Sequence, residues 1–461
     1  MKEAKLLYKK YNYPVPRYTS YPPANFFKSG FSSDDYIQNI KYSNNHKPAN
    51  VSIYIHIPFC KKLCHYCGCF KSYLNKNNTE PVALYVEALK KEILKSRQFI
   101  HKDRKLSQVH YGGGTPNAIP LEYIRELNEL IFNQYDLISG AEVAIECNPA
   151  YIEYEDIDQF ADMGFNRISL GIQDTNPEIL KLVNREESKL DLQLLVDYIR
   201  SKKNPMMVNL DFIYGLPKQT QESFKQTIAQ ALELRPDRLV TFSYAHVPWV
   251  NNAQYHLEKI GLPEESEKID MFFNTREMMK NAGYIPIGFD HYVLPDDELN
   301  IAFNEKKLHR NFQGYCTRIT TGQVYAYGVS SISQLERAYL QNTKSTESYL
   351  KAIDSGEFPV EKGYLLNDTE ILIREILTNL LSNNHIDLQH TANVYKLTIS
   401  ELENMLKIDY NMLKQLESDG IIILNNNSID ITDLGILFAR NVAGTLDPNF
   451  EVKDNKYSKP V

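Results

Sequence analysis

Positive charge is in deficit along this chain: 51 lysines and arginines stand against 58 aspartates and glutamates, a formal net charge of −7. A general nucleic-acid binder needs a basic face to neutralise phosphates, so that class is disfavoured and an anionic substrate would have to be drawn in by local arginines and lysines. Long apolar runs are missing as well, and none approaches the ~20 residues of a membrane span. No transmembrane helix is expected. The stretch Met1 to Tyr11 lacks the continuous apolar core of a secretion signal. Cysteine is scarce, six residues in 461, and its crowding onto one loop is unlike a disulfide framework. The expected compartment is therefore a reducing cytoplasm. There is no internal repeat, no low-complexity tract and no G-x-x-x-x-G-K-[ST] phosphate loop.

What is present is a cysteine cluster. An alternating stretch, Val51 to Ile57, breaks at Pro58 and is followed by Cys60, Cys64, Cys67 and Cys69. The first three follow a C-x3-C-x2-C spacing. Soft thiolates gathered on a short loop select zinc or an iron–sulfur cluster. Structural zinc usually takes paired ligands from two places, and no second Cys or His pair follows at suitable spacing, so zinc and a redox disulfide are the weaker alternatives. The loop resembles the signature of the radical S-adenosylmethionine superfamily. That resemblance implies a [4Fe–4S] cluster held by Cys60, Cys64 and Cys67, an open iron for the methionyl group of S-adenosylmethionine, and Tyr66 beside the adenine.

Along the chain, residues 1–47 are rich in tyrosine, proline and charge, which suggests an arm laid over something else. Arg17, within it, could meet a substrate carboxylate or a structural partner. From about 48 to 290, short apolar strands alternate with amphipathic helices, the pattern of a parallel sheet. Strands are expected at Val51–Ile57, Gln108–Tyr111, Glu142–Glu146, Arg167–Ile172, Val208–Ile213 and Arg238–Tyr244. Six βα units suggest an open α/β barrel, a partial (β/α)6 form, whose chemistry gathers at the C-terminal strand ends. Cys60, Gly112 to Pro116, Glu146 and Gln173 all fall there. A mixed segment after 290 is expected to extend the sheet, giving a catalytic domain over 48–364. Residues 365–461 look mainly helical and winged-helix-like, with a hairpin near Gly420, and carry no basic recognition helix.

The run Gly112-Gly113-Gly114-Thr115-Pro116 permits a close backbone approach to a ligand, or merely a tight turn. Asn117 denies it a dinucleotide fingerprint.

Longer motifs extend a second resemblance over nearly the whole chain. Pro16-Arg17-Tyr18-Thr19-Ser20-Tyr21-Pro22, His56-Ile57-Pro58-Phe59-Cys60, Gly171-Ile172-Gln173-Asp174, Val183-Asn184-Arg185-Glu186, Asp211 to Pro217, Tyr244-Ala245-His246 and Asn311-Phe312-Gln313-Gly314-Tyr315 are similar to segments of the oxygen-independent coproporphyrinogen III oxidases of haem biosynthesis. The resemblance implies oxidative decarboxylation of two propionates of coproporphyrinogen III to vinyl groups by a 5′-deoxyadenosyl radical. It implies two molecules of S-adenosylmethionine, one contacted by Tyr54, Gly113, Glu146 and Ile332. The other would meet Tyr66, Gly114, Thr115, Gln173, Arg185, Asp211 and Ala245. It also implies a tetrapyrrole substrate and an electron donor such as a flavodoxin or ferredoxin; a monomer is expected, and the net charge argues against a nucleic-acid partner. The resemblance names no catalytic side chain. A carboxylate at a strand end is equally often a helix cap or an ion-pair partner.

Cys69 matches the oxidases rather than the related haem chaperones, although the family does not use it as a cluster ligand; Cys147 and Cys316 are taken as structural. One departure stands out. Where the oxidases continue the third strand as Glu-Val-Asp-Pro-Arg, this chain has Glu146-Cys147-Asn148-Pro149-Ala150, and Phe70 replaces a polar residue. A different tetrapyrrole substrate, or a non-catalytic haem-binding role, therefore remains an alternative to the oxidase.

Overall fold

The computed structural model describes residues 2–75, 77–312, 314–317 and 322–451, so Gln313 of the last quoted motif lies outside the described residues. The chain divides into two compact units, one made of residues 27–263 and 319–365, the other of 1–26, 264–318 and 366–461.

The first unit holds the strands expected from the alternation. They are β1 (Val51–Ile57), β2 (Leu106–Gly113), β3 (Leu137–Cys147), β4 (Arg167–Gln173), β5 (Met207–Tyr214) and β6 (Arg238–Ser243). All pair in parallel and in chain order. The connecting helices include α1 (Glu80–Arg97), α2 (Leu121–Gln134), α3 (Tyr154–Asp162), α4 (Leu192–Arg200) and α5 (Gln221–Glu233). Parallel neighbours require such crossovers, and the crossovers cover one sheet face. The other edge of β1 is taken by β7 (Gln323–Tyr327), again parallel. From there β8 (Ile332–Gln334), β9 (Ala338–Asn342) and β10 (Val360–Leu365) continue antiparallel. Within the expected segment after 290, it is residues 323–365 that extend this unit's sheet, while 264–318 belong to the other unit.

The strands are two-faced. Val51, Ile53, Ile55, Val109, Tyr111, Val143, Ile145, Ile168, Leu170, Val208, Leu210 and Leu239 are buried at alternate positions. The intervening positions carry Tyr54, His56, Gln108, His110, Glu142, Glu146, Arg167, Asn209, Asp211 and Arg238. With a side-chain period of two, the apolar row is one face and the polar row the other. At the N-terminal end of the polar row Glu142 accepts from Gln108 Nε2 at 2.8 Å and pairs with Arg167, with Arg238 at 3.7 Å. Burial pushes its carboxyl up, but the two guanidiniums outweigh that and hold it down at about 2. This paired cluster fills the strands' N-terminal half and leaves the C-terminal half for chemistry.

A second buried carboxylate anchors the sheet extension. Glu92 of α1 accepts from Gly328 N at 2.9 Å, Asn342 Nδ2 at 2.8 Å and Tyr349 Oη at 2.6 Å. Burial raises its carboxyl to about 7 despite those donors. The folded state therefore binds a proton that the unfolded state releases near pH 4.5. The resulting stability is complete below that pH and is lost as pH rises through about 7. Glu92→Gln should flatten the fall of thermal midpoint over that window. An unchanged slope in pH-dependent calorimetry would reject Glu92 as its source.

In the second unit the tyrosine-rich arm is tied down at its own aromatic motif. Tyr18 and Tyr21 both donate to Asp447, at 3.0 and 2.9 Å, and Asn441 Nδ2 donates to the Tyr11 carbonyl at 3.0 Å. Helix Asp368–Asn383 leads into a three-stranded sheet of His385–Asp387, Ser428–Ile431 and Ile422–Asn425, with helices Leu388–Val394, Ile399–Leu406 and Tyr410–Ser418 between the first and last in sequence. The hairpin turns at Asn426, whose φ is +50°. This is a winged-helix-like arrangement. Among the described residues no helix is long and apolar enough to cross a membrane.

Candidate radical-chemistry site

The cysteine loop leaves β1 at its C-terminal end and is fastened from both sides. On the β1 and β2 side, Ser72 N donates to the Pro58 carbonyl at 2.7 Å and Leu74 N to that of Cys60 at 2.8 Å. Gly114 N donates to Ile57 O at 2.8 Å and Thr115 N to Phe59 O at 2.9 Å. Across the loop, Asn184 Nδ2 donates to Leu63 O at 2.7 Å and His65 N to Val183 O at 3.0 Å. Asn251 Nδ2 reaches the carbonyls of His65 and Cys67, at 3.1 and 3.0 Å, and Gln254 Nε2 that of Tyr66 at 3.0 Å. With so many of its carbonyls satisfied, the loop is held in one shape by the protein's own hydrogen bonds.

Each glycine of the run after β2 has its own reason. A Cβ on Gly112 would lie 2.7 Å from Glu146 Oε1, one on Gly113 2.6 Å from the His56 ring, and one on Gly114 2.7 Å from the Pro58 carbonyl. The run is thus a seat for Glu146, for His56 and for the backbone that launches the cysteines. Gly113 also has φ of +112°, which side-chain-bearing residues rarely adopt.

The strand ends bring several of the expected residues together. Cys60 Sγ lies 3.5 Å from Thr115 Oγ1. Arg185 Nη1 lies 3.9 Å from Cys64 Sγ, while Nη2 donates to the Gly171 carbonyl. Its Nε is buried without a hydrogen-bond partner. Burial raises the Cys60 thiol to about 11, with Cys67 and Cys64 adding to the rise as neighbouring negative charges. Glu146, 44% exposed, is held by His110 Nε2 at 2.8 Å, and His110 stacks on Tyr54, ring centres 6.0 Å apart. Tyr54 Oη donates to His56 Nδ1 at 3.2 Å, since His56 Nε2 donates to the Phe70 carbonyl at 3.1 Å. Burial holds that imidazole neutral, down at about 4. Asp211 is bonded by Asn209 Nδ2 at 2.8 Å, and burial, with the charge of Glu146, raises it to about 7.

Gln173 closes β4 in a left-handed conformation, φ +73°, beside a shift in register. Such backbone is held only where the surroundings over-determine it. Tyr66 is in the loop itself, Ala245 just beyond β6, and Ile332 begins β8, opposite Gln341. Neither Ala245 nor Ile332 carries a polar side chain with which to bond the others. His110, His56 and the Glu142 cluster were not picked out from the sequence; the signal that could have found them is the polar half of the strand alternation. At the departure, Asn148 is built into the local turn. Its backbone exchanges hydrogen bonds with the Asn117 side chain at 2.9 and 3.0 Å, and its own side chain caps Ala150 N at 3.1 Å.

The donor set suits a cluster. Three thiols sit within eight residues, and a hydroxyl and a guanidinium lie beside two of them. Comparisons with known proteins agree. Residues 54–231 match the family model described as the radical SAM superfamily. An oxygen-independent coproporphyrinogen III oxidase of Synechocystis is 35% identical over 98% of this chain and 96% of its own length. The chain belongs to the oxygen-independent coproporphyrinogen III oxidase family. The Escherichia coli oxidase of that name is 36% identical over 96% of this chain and 94% of its own. The solved structure of coproporphyrinogen III oxidase from the same organism, described as a radical SAM enzyme, superposes with a TM-score of 0.87 at 33% identity, covering 96% of this chain and 99% of that one. Family membership therefore extends to both units and is not confined to the cysteine loop.

Proposed function

We propose that this chain converts coproporphyrinogen III to protoporphyrinogen IX without oxygen, by oxidative decarboxylation of two propionate side chains. The observation that carries the reading is the placement of Cys60, Cys64 and Cys67 on a pinned loop at the mouth of β1, with Thr115 and Arg185 beside two of the sulfurs, in a chain related to the oxidases over nearly its full length. Those cysteines would hold a [4Fe–4S] cluster, which with S-adenosylmethionine supplies a 5′-deoxyadenosyl radical able to take hydrogen from the propionate β-carbon.

The residues around the sulfurs bind and orient. Glu146, steadied by His110, accepts from an ammonium or ribose hydroxyl, with Tyr54, Gly113 and Ile332 serving the same S-adenosylmethionine. Arg185 keeps an unpartnered, buried Nε, a donor whose desolvation is offset when a carboxylate reaches it. Tyr66, Gly114, Thr115, Gln173, Asp211 and Ala245 complete a second nucleoside position. Asp211, its carboxyl raised by burial and by the charge of Glu146, can accept from a ribose hydroxyl. The apolar outer row and the paired Glu142 cluster keep water from the inner end. A low-potential electron has to enter from outside, for which a reduced flavodoxin or ferredoxin is suited.

Anaerobic incubation of the reconstituted protein with coproporphyrinogen III, S-adenosylmethionine and a reductant tests the reading. Deoxyadenosine and a product lighter by two carboxyl groups and their paired hydrogens are expected; an unchanged tetrapyrrole mass rejects it. A sharper prediction concerns His110. His110→Phe keeps the stack on Tyr54 but removes the N–H that orients Glu146, and should weaken S-adenosylmethionine binding by about tenfold, as loss of a supporting hydrogen bond commonly does. His110→Gln should recover part of it. Equal affinity in all three proteins, by equilibrium dialysis, would refute the assignment.

A further inference from the structure

The sole tryptophan of the 461-residue chain is Trp249, and it is 75% exposed, with Val250 beside it 65% exposed. Single apolar side chains on a surface need no explanation. These two are different in where they are fixed. They lie in a turn closed by Val250 N donating to the Val247 carbonyl at 2.8 Å, and the next residue, Asn251, is the one that donates to the carbonyls of His65 and Cys67. The turn is thus clamped to the outer side of the cysteine loop. Leu63, on that loop between the first two cysteines, is also exposed.

Charge singles out the same place. From Pro58 to Thr79 the chain carries Lys61, Lys62, Lys71 and Lys76 and no aspartate or glutamate, within a protein whose net charge is −7. Lys61 is turned to the Tyr151 ring, 4.7 Å from its centre, and to Asp156, whereas the charge of Lys62 bears on His65, the residue whose carbonyl Asn251 holds. An exposed aromatic anchor with apolar neighbours and a lysine, tied to the loop that would hold the redox centre, has the make-up of a transient electron-transfer interface. Such interfaces are small, and charge sets their encounter rate more than their affinity.

We propose that Trp249, Val250 and Leu63, with Lys62 beside them, form the docking face for an acidic one-electron carrier protein that reduces the centre held by Cys60, Cys64 and Cys67. In each encounter the carrier gives up one electron and the centre gains one. The inference rests on the cluster assignment above. It adds the place where the electron enters.

The test uses reconstituted full-length protein and a bacterial flavodoxin in its hydroquinone form, under anaerobic stopped flow. Flavodoxin should quench Trp249 emission, and about 0.5 M salt should restore it, because exposed charges are screened beyond a few ångströms at that strength. Lys62→Glu should slow flavodoxin-driven bleaching of the cluster by about tenfold through lost steering. Trp249→Ala should raise the flavodoxin concentration for half-maximal rate by about tenfold. In both variants dithionite-driven cleavage of S-adenosylmethionine should stay at the wild-type rate. Wild-type flavodoxin kinetics in both variants, or unquenched emission, overturns the docking face. Absence of dithionite-driven cleavage in the wild type would instead overturn the cluster reading beneath it.

Discussion

Cys64→Ala should leave the protein folded but without its broad iron–sulfur absorbance, and with tetrapyrrole conversion at background. Cys64 is only partly buried, so the lost side chain opens no large cavity and little stability goes with it. What goes is one of three thiolates, and with it the charge that faces Arg185 at 3.9 Å. Cys69 lies against Cys67, the two thiols sharing a hydrogen bond, and no such contact ties it to Cys64 among the described residues. It is the exposed member of the group and follows Cys67 by two residues on a segment that Lys71 Nζ ties down, at 2.9 Å to the Cys67 carbonyl and 3.4 Å to that of Cys69. Cys147, buried on the apolar face of β3, provides the contrast: Cys147→Ala should keep the cluster and lose about 1 kcal/mol of stability from a trimmed core. Iron and labile sulfide assays on the two variants, beside circular dichroism, decide the matter. A full cluster in Cys64→Ala would remove Cys64 from the ligand set.

The strands and the cysteines were legible because each carries a local signal. Apolar residues at every second position marked β1 to β6 to within a few residues, and C-x3-C-x2-C is a spacing that few chemistries need. The other half of the same alternation was legible only as polarity. Gln108, His110, Glu142, Arg167, Asn209 and Arg238 look in sequence like the solvated face of a sheet, and nothing local says that this face curves round a site and pairs with itself. The glycine run was visible, yet its reasons are contacts with Glu146, His56 and Pro58, made by neighbouring strands or by the start of the loop. The tyrosine-rich motif near the start was visible, whereas the anchorage of Tyr18 and Tyr21 on Asp447 links residues more than 420 positions apart. The finer assignments to two nucleosides came from resemblance, and spacing alone would not have supplied them.

Gly113→Ala should be the most damaging one-methyl change in the site. Two costs fall on one atom. The backbone there sits at φ +112°, a conformation worth roughly 1–3 kcal/mol of strain for a residue with a Cβ. The added methyl would also lie 2.6–2.9 Å from three atoms of the His56 ring, an overpacking typically worth about 1–3 kcal/mol more. His56 has nowhere to retreat, since one ring nitrogen holds the Phe70 carbonyl and the other the Tyr54 hydroxyl. Moving it displaces the end of the cysteine loop or the tyrosine that stacks on His110. The expected result is a thermal midpoint lower by roughly 5–10 °C together with poor cluster incorporation. Two comparisons separate the causes. Gly140→Ala, at φ +76° with no neighbour within 4 Å of its Cβ, carries backbone strain alone. Gly68→Ala, in the cysteine loop with open space around it, carries neither cost and should load its cluster normally. If crowding against His56 is the larger part, trimming that ring should relieve it: Gly113→Ala combined with His56→Ala should be less destabilised than the sum of the single changes, by on the order of 1 kcal/mol or more, since residues in contact couple. Strict additivity would show that the glycine is required for its backbone alone and that the imidazole is not what fixes the mouth of the strand.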